Sequence, residues 1–227
     1  RRGFSELEHS ALDQCAGKRF WVETQTGQLT TNNGVEQLEV GLFVERFDHG
    51  AHVRLRLRQR ADAPDELRLV VEAEPGSAPL DYCILTATMG NKARTRQLWL
   101  REGPVSSLKL YPDYTGPDFA PHQFFGLDRL PRASNRDVLV AVTTDEENPA
   151  AVQPFGRPHF WDYRGRKVTQ YWRKPAATVG GDLHGAVNGR FTYWGSKRPI
   201  PGGVAYENFE LRQQFREGDE FVFGITG

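Results

Sequence analysis

Residues 161–174, WDYRGRKVTQYWRK, place two Trp, two Tyr and five Arg or Lys within fourteen positions. An aromatic face covers the C–H surface of a sugar ring, and a guanidinium pairs with a carboxylate through parallel N–H bonds. Gly165, between Arg164 and Arg166, supplies a turn, so HFWDY and KVTQYWRK are expected to pair as a hairpin. Alternation then sets Lys167, Thr169, Tyr171 and Arg173 on one side, at steps of roughly 7 Å per two residues. Val168, Gln170, Trp172 and Lys174 take the other, with Val168 and Trp172 as core. Lys167, Tyr171 and Arg173 form a cation–ring–cation triplet suited to an acidic sugar. The same pattern is also that of a solvated strand face whose charges meet Asp or Glu on neighbouring strands.

GRFTYWGSKRPIPGG (189–203) repeats the theme with Arg190, Tyr193, Trp194, Lys197 and Arg198. If this strand neighbours the first hairpin, the two patches line one concave sheet face. Arg173 or Arg190 would neutralise a uronate carboxylate. Tyr171, Tyr193 or His184 would then carry a proton, the tyrosines with pKa values lowered by nearby cations. In TMGNKARTRQLWL (88–100), Asn91 and Arg94 are candidate ligand contacts, although Asn91 in Gly90-Asn91 also suits a left-handed turn. His122 lies in YPDYTGPDFAPHQFFG (111–126), the longest stretch without alternation, and long loops in compact domains tend to be functional. Arg54, Arg56 and Arg58 form a row that Glu72 and Glu74 can neutralise across a hairpin.

The elements that must hold these residues are strands. HVRLRLRQR (52–60) and ELRLVVEAE (66–74) alternate apolar with charged residues and read as an antiparallel hairpin, dry on one face. VEQLEVGLFVERF (35–47) alternates likewise, with Leu38, Val40, Leu42 and Val44 on one side. Further strand patterns fall at 81–88, 96–100, 107–111, 137–144, 166–172, 189–194, 205–211 and 220–225. Helix signals are confined to SELEHSALDQCAG (5–17), with Ser5 as N-cap and Gly17 as terminator, and to a short turn within 121–130. Strands without intervening helices predict an all-β antiparallel sandwich, jelly-roll or supersandwich-like, with one or two short peripheral helices. We expect residues 1–227 to form a single domain of this kind.

Composition narrows the function classes. The 227 residues hold 29 basic and 29 acidic side chains. That balance lacks the global field of a nucleic-acid or membrane-surface protein. No apolar run has the length of a membrane span, and no secretory leader pattern is visible at the start. The two cysteines, Cys15 and Cys83, lack metal-ligand spacing, and Cys83 in YCILTA reads as a small core hydrophobe. The six histidines are scattered without an HExxH pattern, so no metal is expected. No phosphate-loop, dinucleotide or serine-nucleophile pattern occurs, and no cofactor is expected.

VAYENFELRQQFREGDEFVFGI (204–225) brings one strand to ENFEL, turns at F-x-x-G and closes on F-x-F-G-I. This resembles the closing hairpin of β-sandwich domains in carbohydrate-active proteins, including galactose-mutarotase-like supersandwiches and some polysaccharide lyases. The resemblance spans about a tenth of the chain. It implies a β-sandwich and a carbohydrate ligand, and it carries no catalytic residue over. The expectation is therefore a carbohydrate-binding β-sandwich that recognises acidic sugars through an aromatic and basic concave face. One alternative is a lyase or epimerase acting by proton abstraction. The other is a structural or protein-interaction domain.

Overall fold

The computed structural model describes residues 22–24, 26–47, 50–88, 94–144, 169–193 and 198–226. Two antiparallel sheets pack as an all-β sandwich. The wider sheet runs in the order β1 (Val22–Thr24), β3 (Val35–Val44), β4 (Val53–Arg60), β5 (Ala63–Ala73), β14 (Asp219–Thr226), β11 (Thr169–Lys174), β10 (Val138–Thr144), β7 (Thr95–Leu100) and β8 (Gly103–Ser106). β2 (Gln28–Asn32) joins it by pairing with β3. The narrower sheet has four strands in the order β6 (Tyr82–Thr88), β13 (Ala205–Gln214), β12 (His184–Arg190) and β9 (Gln123–Gly126).

Period-two alternation explains most of this. Val53 and Leu55 on β4 and Val71 on β5 enter the core, while Arg54 pairs with Glu72 across the hairpin and Arg56 reaches the same carboxylate. Burial fails along β3, from Val44 in the core to Leu38, 43% exposed, because four strands cannot cover the face of ten. On β12, Gly185 lets the sheets approach: a Cβ there would lie 2.6 Å from Val140 Cγ2.

Four expectations fail in instructive ways. SLKLY at 107–111 forms a single helical turn, α1 (Ser107–Leu110), because the Ser106 hydroxyl accepts from Leu108 N and caps it. The segment 121–130 contributes β9 followed by a turn. The strand expected over 189–194 starts earlier, at His184, and ends at Arg190. β13 and β14, read as a hairpin, lie in different sheets, so residues 215–218 arch from one sheet to the other. The expected helix at 5–17 lies outside the described residues.

The interior also holds charge. Lys174, fully buried, donates to the Asp219 carboxylate and, at 2.9 Å, to the Glu220 carbonyl, with its ammonium 3.8 Å from the Phe221 ring centre. Gln213 Nε2 donates to the other Asp219 oxygen at 2.6 Å. Burial draws the Lys174 pKa below its ordinary value, against the pull of Asp219. Cys83 is a free, buried thiol whose pKa burial raises to about 12. Removing one member of a buried ion pair strands the other. Lys174→Met should therefore cost roughly 3–5 kcal/mol in urea unfolding at neutral pH, and Lys174→Met/Asp219→Asn should recover part of it.

Candidate functional site

The two patches expected to share a face do not. β11 belongs to the wide sheet and β12 to the narrow one. Trp172 on β11 points inward and donates Nε1–H to Phe209 O at 3.1 Å, so Tyr171 and Arg173 point outward. There Arg173 is consumed by protein carboxylates. Its Nε donates to Glu66 Oε1 at 3.0 Å, a second N–H meets Glu66 Oε2, and a third reaches Asp137. Tyr171 lies across β14 over Gly224 and donates its hydroxyl to Glu66 Oε1 at 2.9 Å. Burial, then the Glu66 hydrogen bond and charge, push its pKa up to about 12, the reverse of the activation expected. The charged-strand-face alternative describes this cluster. A Cβ at Gly224 would fall inside the Tyr171 ring. Gly224→Ala should displace Tyr171 from Glu66 and cost roughly 1–3 kcal/mol in thermal or urea unfolding.

The other candidates scatter. Tyr193, 2% exposed, packs with Ile200 and Ala205 in a small apolar cluster. Arg190 is buried; its Nε–H donates to Thr192 O at 3.3 Å, another N–H to Pro117 O at 2.8 Å, and its guanidinium covers the Phe119 ring. Both are therefore built into the end of β12 and not presented to solvent. Arg94 is buried at a left-handed φ of 44° just before β7. His184 is exposed at the start of β12, where Nδ1 donates to Asp182 O at 2.5 Å. Asn91, Lys167 and Trp194 lie outside the described residues.

His122 stands within a larger constellation, on the open face of the narrow sheet, where His184 is the register partner of Arg212. The face is set by alternation: β13 sends Phe209 and Leu211 inward and Glu210 and Arg212 outward. Ala186 of β12 sits between Glu210 and Phe124 of β9. Thr86 of β6 donates to Glu210 Oε1 at 3.1 Å. His122 Nε2 lies 3.2 Å from the same oxygen and 3.3 Å from Asn188 Nδ2. One ring nitrogen cannot donate to a carboxylate and accept from an amide at once. The proton on His122 is thus contested between two neighbours.

Aromatic rings and one arginine complete the face. Phe124, 53% exposed, stacks beside His122 at 6.0 Å between ring centres. Arg212 lies over the Tyr82 ring at 4.0 Å and reaches 6.0 Å from Phe124. Among the described residues no carboxylate comes within ion-pairing distance of Arg212, in contrast to Arg54, Arg56, Arg58, Arg68 and Arg173.

A bulge shapes one end of this face. Asn188 opposes Asn208 and Gly189 opposes Tyr206, which leaves Glu207 as the extra residue. The bulge inverts the alternation, so Tyr206 and Phe209 both enter the core. Asn208 N–H is taken up by Asn188 Oδ1 at 3.3 Å. Glu207 is 1% exposed and its Oε2 has no hydrogen-bond partner. Burial raises its pKa to about 7, and Arg190 lowers it only in part.

Sequence reasoning missed Glu207, Glu210, Arg212, Tyr82 and Phe124. Alternation within ENFELRQQF carried the signal for Glu210 and Arg212, because Phe209 and Leu211 are its apolar partners. Comparison with family models, with curated proteins and with solved structures finds no match for this chain. Among the described residues there is no group of three His, Cys, Asp or Glu placed to hold a metal ion, and no helix is long and apolar enough to cross a membrane.

The Glu207 carboxyl binds its proton more tightly folded than unfolded, where the ordinary value is near 4.5. Its contribution to stability is therefore complete below about pH 4.5, declines as pH rises, and is gone above about pH 7. The span is roughly 3 kcal/mol. Glu207→Gln should melt above the unaltered protein at pH 8, with the advantage vanishing near pH 5 in parallel thermal scans.

Proposed function

We propose that the open face of the four-stranded sheet binds an acidic saccharide. The observation that carries this reading is Arg212: a guanidinium with no carboxylate partner among the described residues, laid on Tyr82 and next to exposed Phe124. An arginine that pairs with no acid among the described residues is ready to pair with a ligand acid, and its planar fork matches a carboxylate. Phe124 offers a flat apolar surface to sugar C–H groups. His122, Glu210, Asn188 and Thr86 supply donors and acceptors already ordered by one another, as sugar hydroxyls require.

A second reading rests on one specific feature. His122 Nε2 is held between the Glu210 carboxylate and the Asn188 amide, at the position a general base would need on this face. With Arg212 balancing the acid, proton abstraction beside a uronate carboxylate becomes chemically available to this face. In that case Arg212 would stabilise the developing enolate and Glu210 would hold the imidazole.

Calorimetric titration of the protein with oligouronates and with neutral gluco-oligosaccharides separates these ideas. Binding of the acidic series is expected. Arg212→Gln should weaken it about tenfold or more, in keeping with a charge-assisted hydrogen bond. Phe124→Ala should weaken acidic and neutral ligands alike. Absence of binding to any oligouronate, or an Arg212→Gln protein that binds as before, would sink the reading. Rising ultraviolet absorbance of an unsaturated uronate on incubation would favour the lyase alternative.

A further inference from the structure

The bulge ties a buried proton to the candidate site. Glu207 occupies the position that breaks the β12–β13 register, and the broken ladder leaves Asn208 N–H to Asn188 Oδ1. Asn188 spends its other end on His122 Nε2. One side chain therefore spans the residue next to Glu207 and the histidine of the open face. The Glu207 carboxyl itself is enclosed, with an oxygen that no donor reaches.

We propose that proton loss from Glu207 shifts the bulge and, through Asn188, the His122 ring, so that the open face loses affinity for an acidic saccharide as pH rises. The affinity part of this inference rests on the saccharide reading above; the structural coupling does not. An ionised, enclosed carboxylate has two outlets. It can draw the Arg190 guanidinium away from Thr192 O and Pro117 O, or it can admit water at the bulge. Either moves the Asn208 amide against Asn188. Ionisation itself adds a negative charge at one end of a face that is to hold an anion, and an approaching Arg190 offsets it only in part. The charged group bearing on Glu207 across the bulge is Arg190 of β12; beyond Asn188 stand His122, just ahead of β9, and Glu210 of β13. The carboxyl pKa of about 7 sets the window.

Amide spectra of the isotopically labelled full chain, recorded from pH 5.5 to 8.5, test the coupling without any ligand. The Asn208 backbone amide and the Asn188 side-chain amide should shift together with a midpoint near 7 in the unaltered protein. Both should be flat in Glu207→Gln. Persistence of the shift in Glu207→Gln would assign it to His122 and overturn the proposal, as would no shift in the unaltered protein. Difference infrared spectroscopy gives a check that needs no variant: a carboxylic-acid carbonyl band should disappear with the same midpoint, and a protein lacking that band at pH 6 would overturn the proposal. An oligouronate should bind about fivefold or more weakly at pH 8 than at pH 6, and equally at both in Glu207→Gln. A pH-independent affinity in the unaltered protein would refute the affinity part. If no oligouronate binds at any pH, the saccharide reading fails, and the spectra still decide whether Glu207 drives the bulge.

Discussion

β13 is the strand on which both the interior and the open face depend. It is central in the narrow sheet and is bonded across the core to the wide one. Thr95 of β7 donates its hydroxyl to Tyr206 O at 3.1 Å, and Trp172 of β11 donates to Phe209 O at 3.1 Å. Tyr206 hydroxyl reaches Val105 O on β8 at 3.0 Å, and Gln213 reaches Asp219 on β14. These bonds fix how the two sheets face each other, where apolar contact alone would permit sliding. Lys174 needs this fixed arrangement most, since its buried ammonium is tolerable only with Asp219 and the Glu220 carbonyl in place.

The same strand must also present polar residues to water, and the bulge at Glu207 reconciles the two demands. A strict alternation through 206–212 would turn either Tyr206 or Phe209 out of the core. The extra residue lets both remain inside while Asn208, Glu210 and Arg212 belong to the other side. Its consequence is a carboxyl enclosed without a full set of partners, a costly arrangement beside the ion pairs of the wide sheet. The outer face of the wide sheet illustrates that contrast. There Arg54, Arg56, Arg58 and Arg68 meet carboxylates on neighbouring strands, and Arg173 reaches Glu66 across β14.

Arg173 and Arg190, conspicuous in the sequence, are therefore taken up by the protein itself. Density of Arg and Tyr within 161–174 pointed to Tyr171 and Arg173, but Glu66 and Asp137 come from β5 and from the loop before β10, far away along the chain. Arg212, in a stretch read only as a closing strand, lacks such a partner among the described residues. Its neighbour Tyr82 comes from the adjacent edge strand β6, 130 positions earlier. Charge availability is a property of what the sheet order brings alongside, and sheet order follows long-range pairing that local pattern does not encode.

The sequence by itself determined the all-β class, the β4–β5 hairpin, the inward Trp172 and the neutralised arginine row. Each follows from a two-residue period or from neighbours on adjacent strands. It also marked His122 as a residue to watch. Only the tertiary structure decided that β11 and β12 part into different sheets, that β13 and β14 arch and do not pair, and that Glu207 is a bulge. Strand propensity and alternation state which side a residue takes within its strand; which strands lie beside it, and so whether its charge is spent or free, is settled when the sheets assemble.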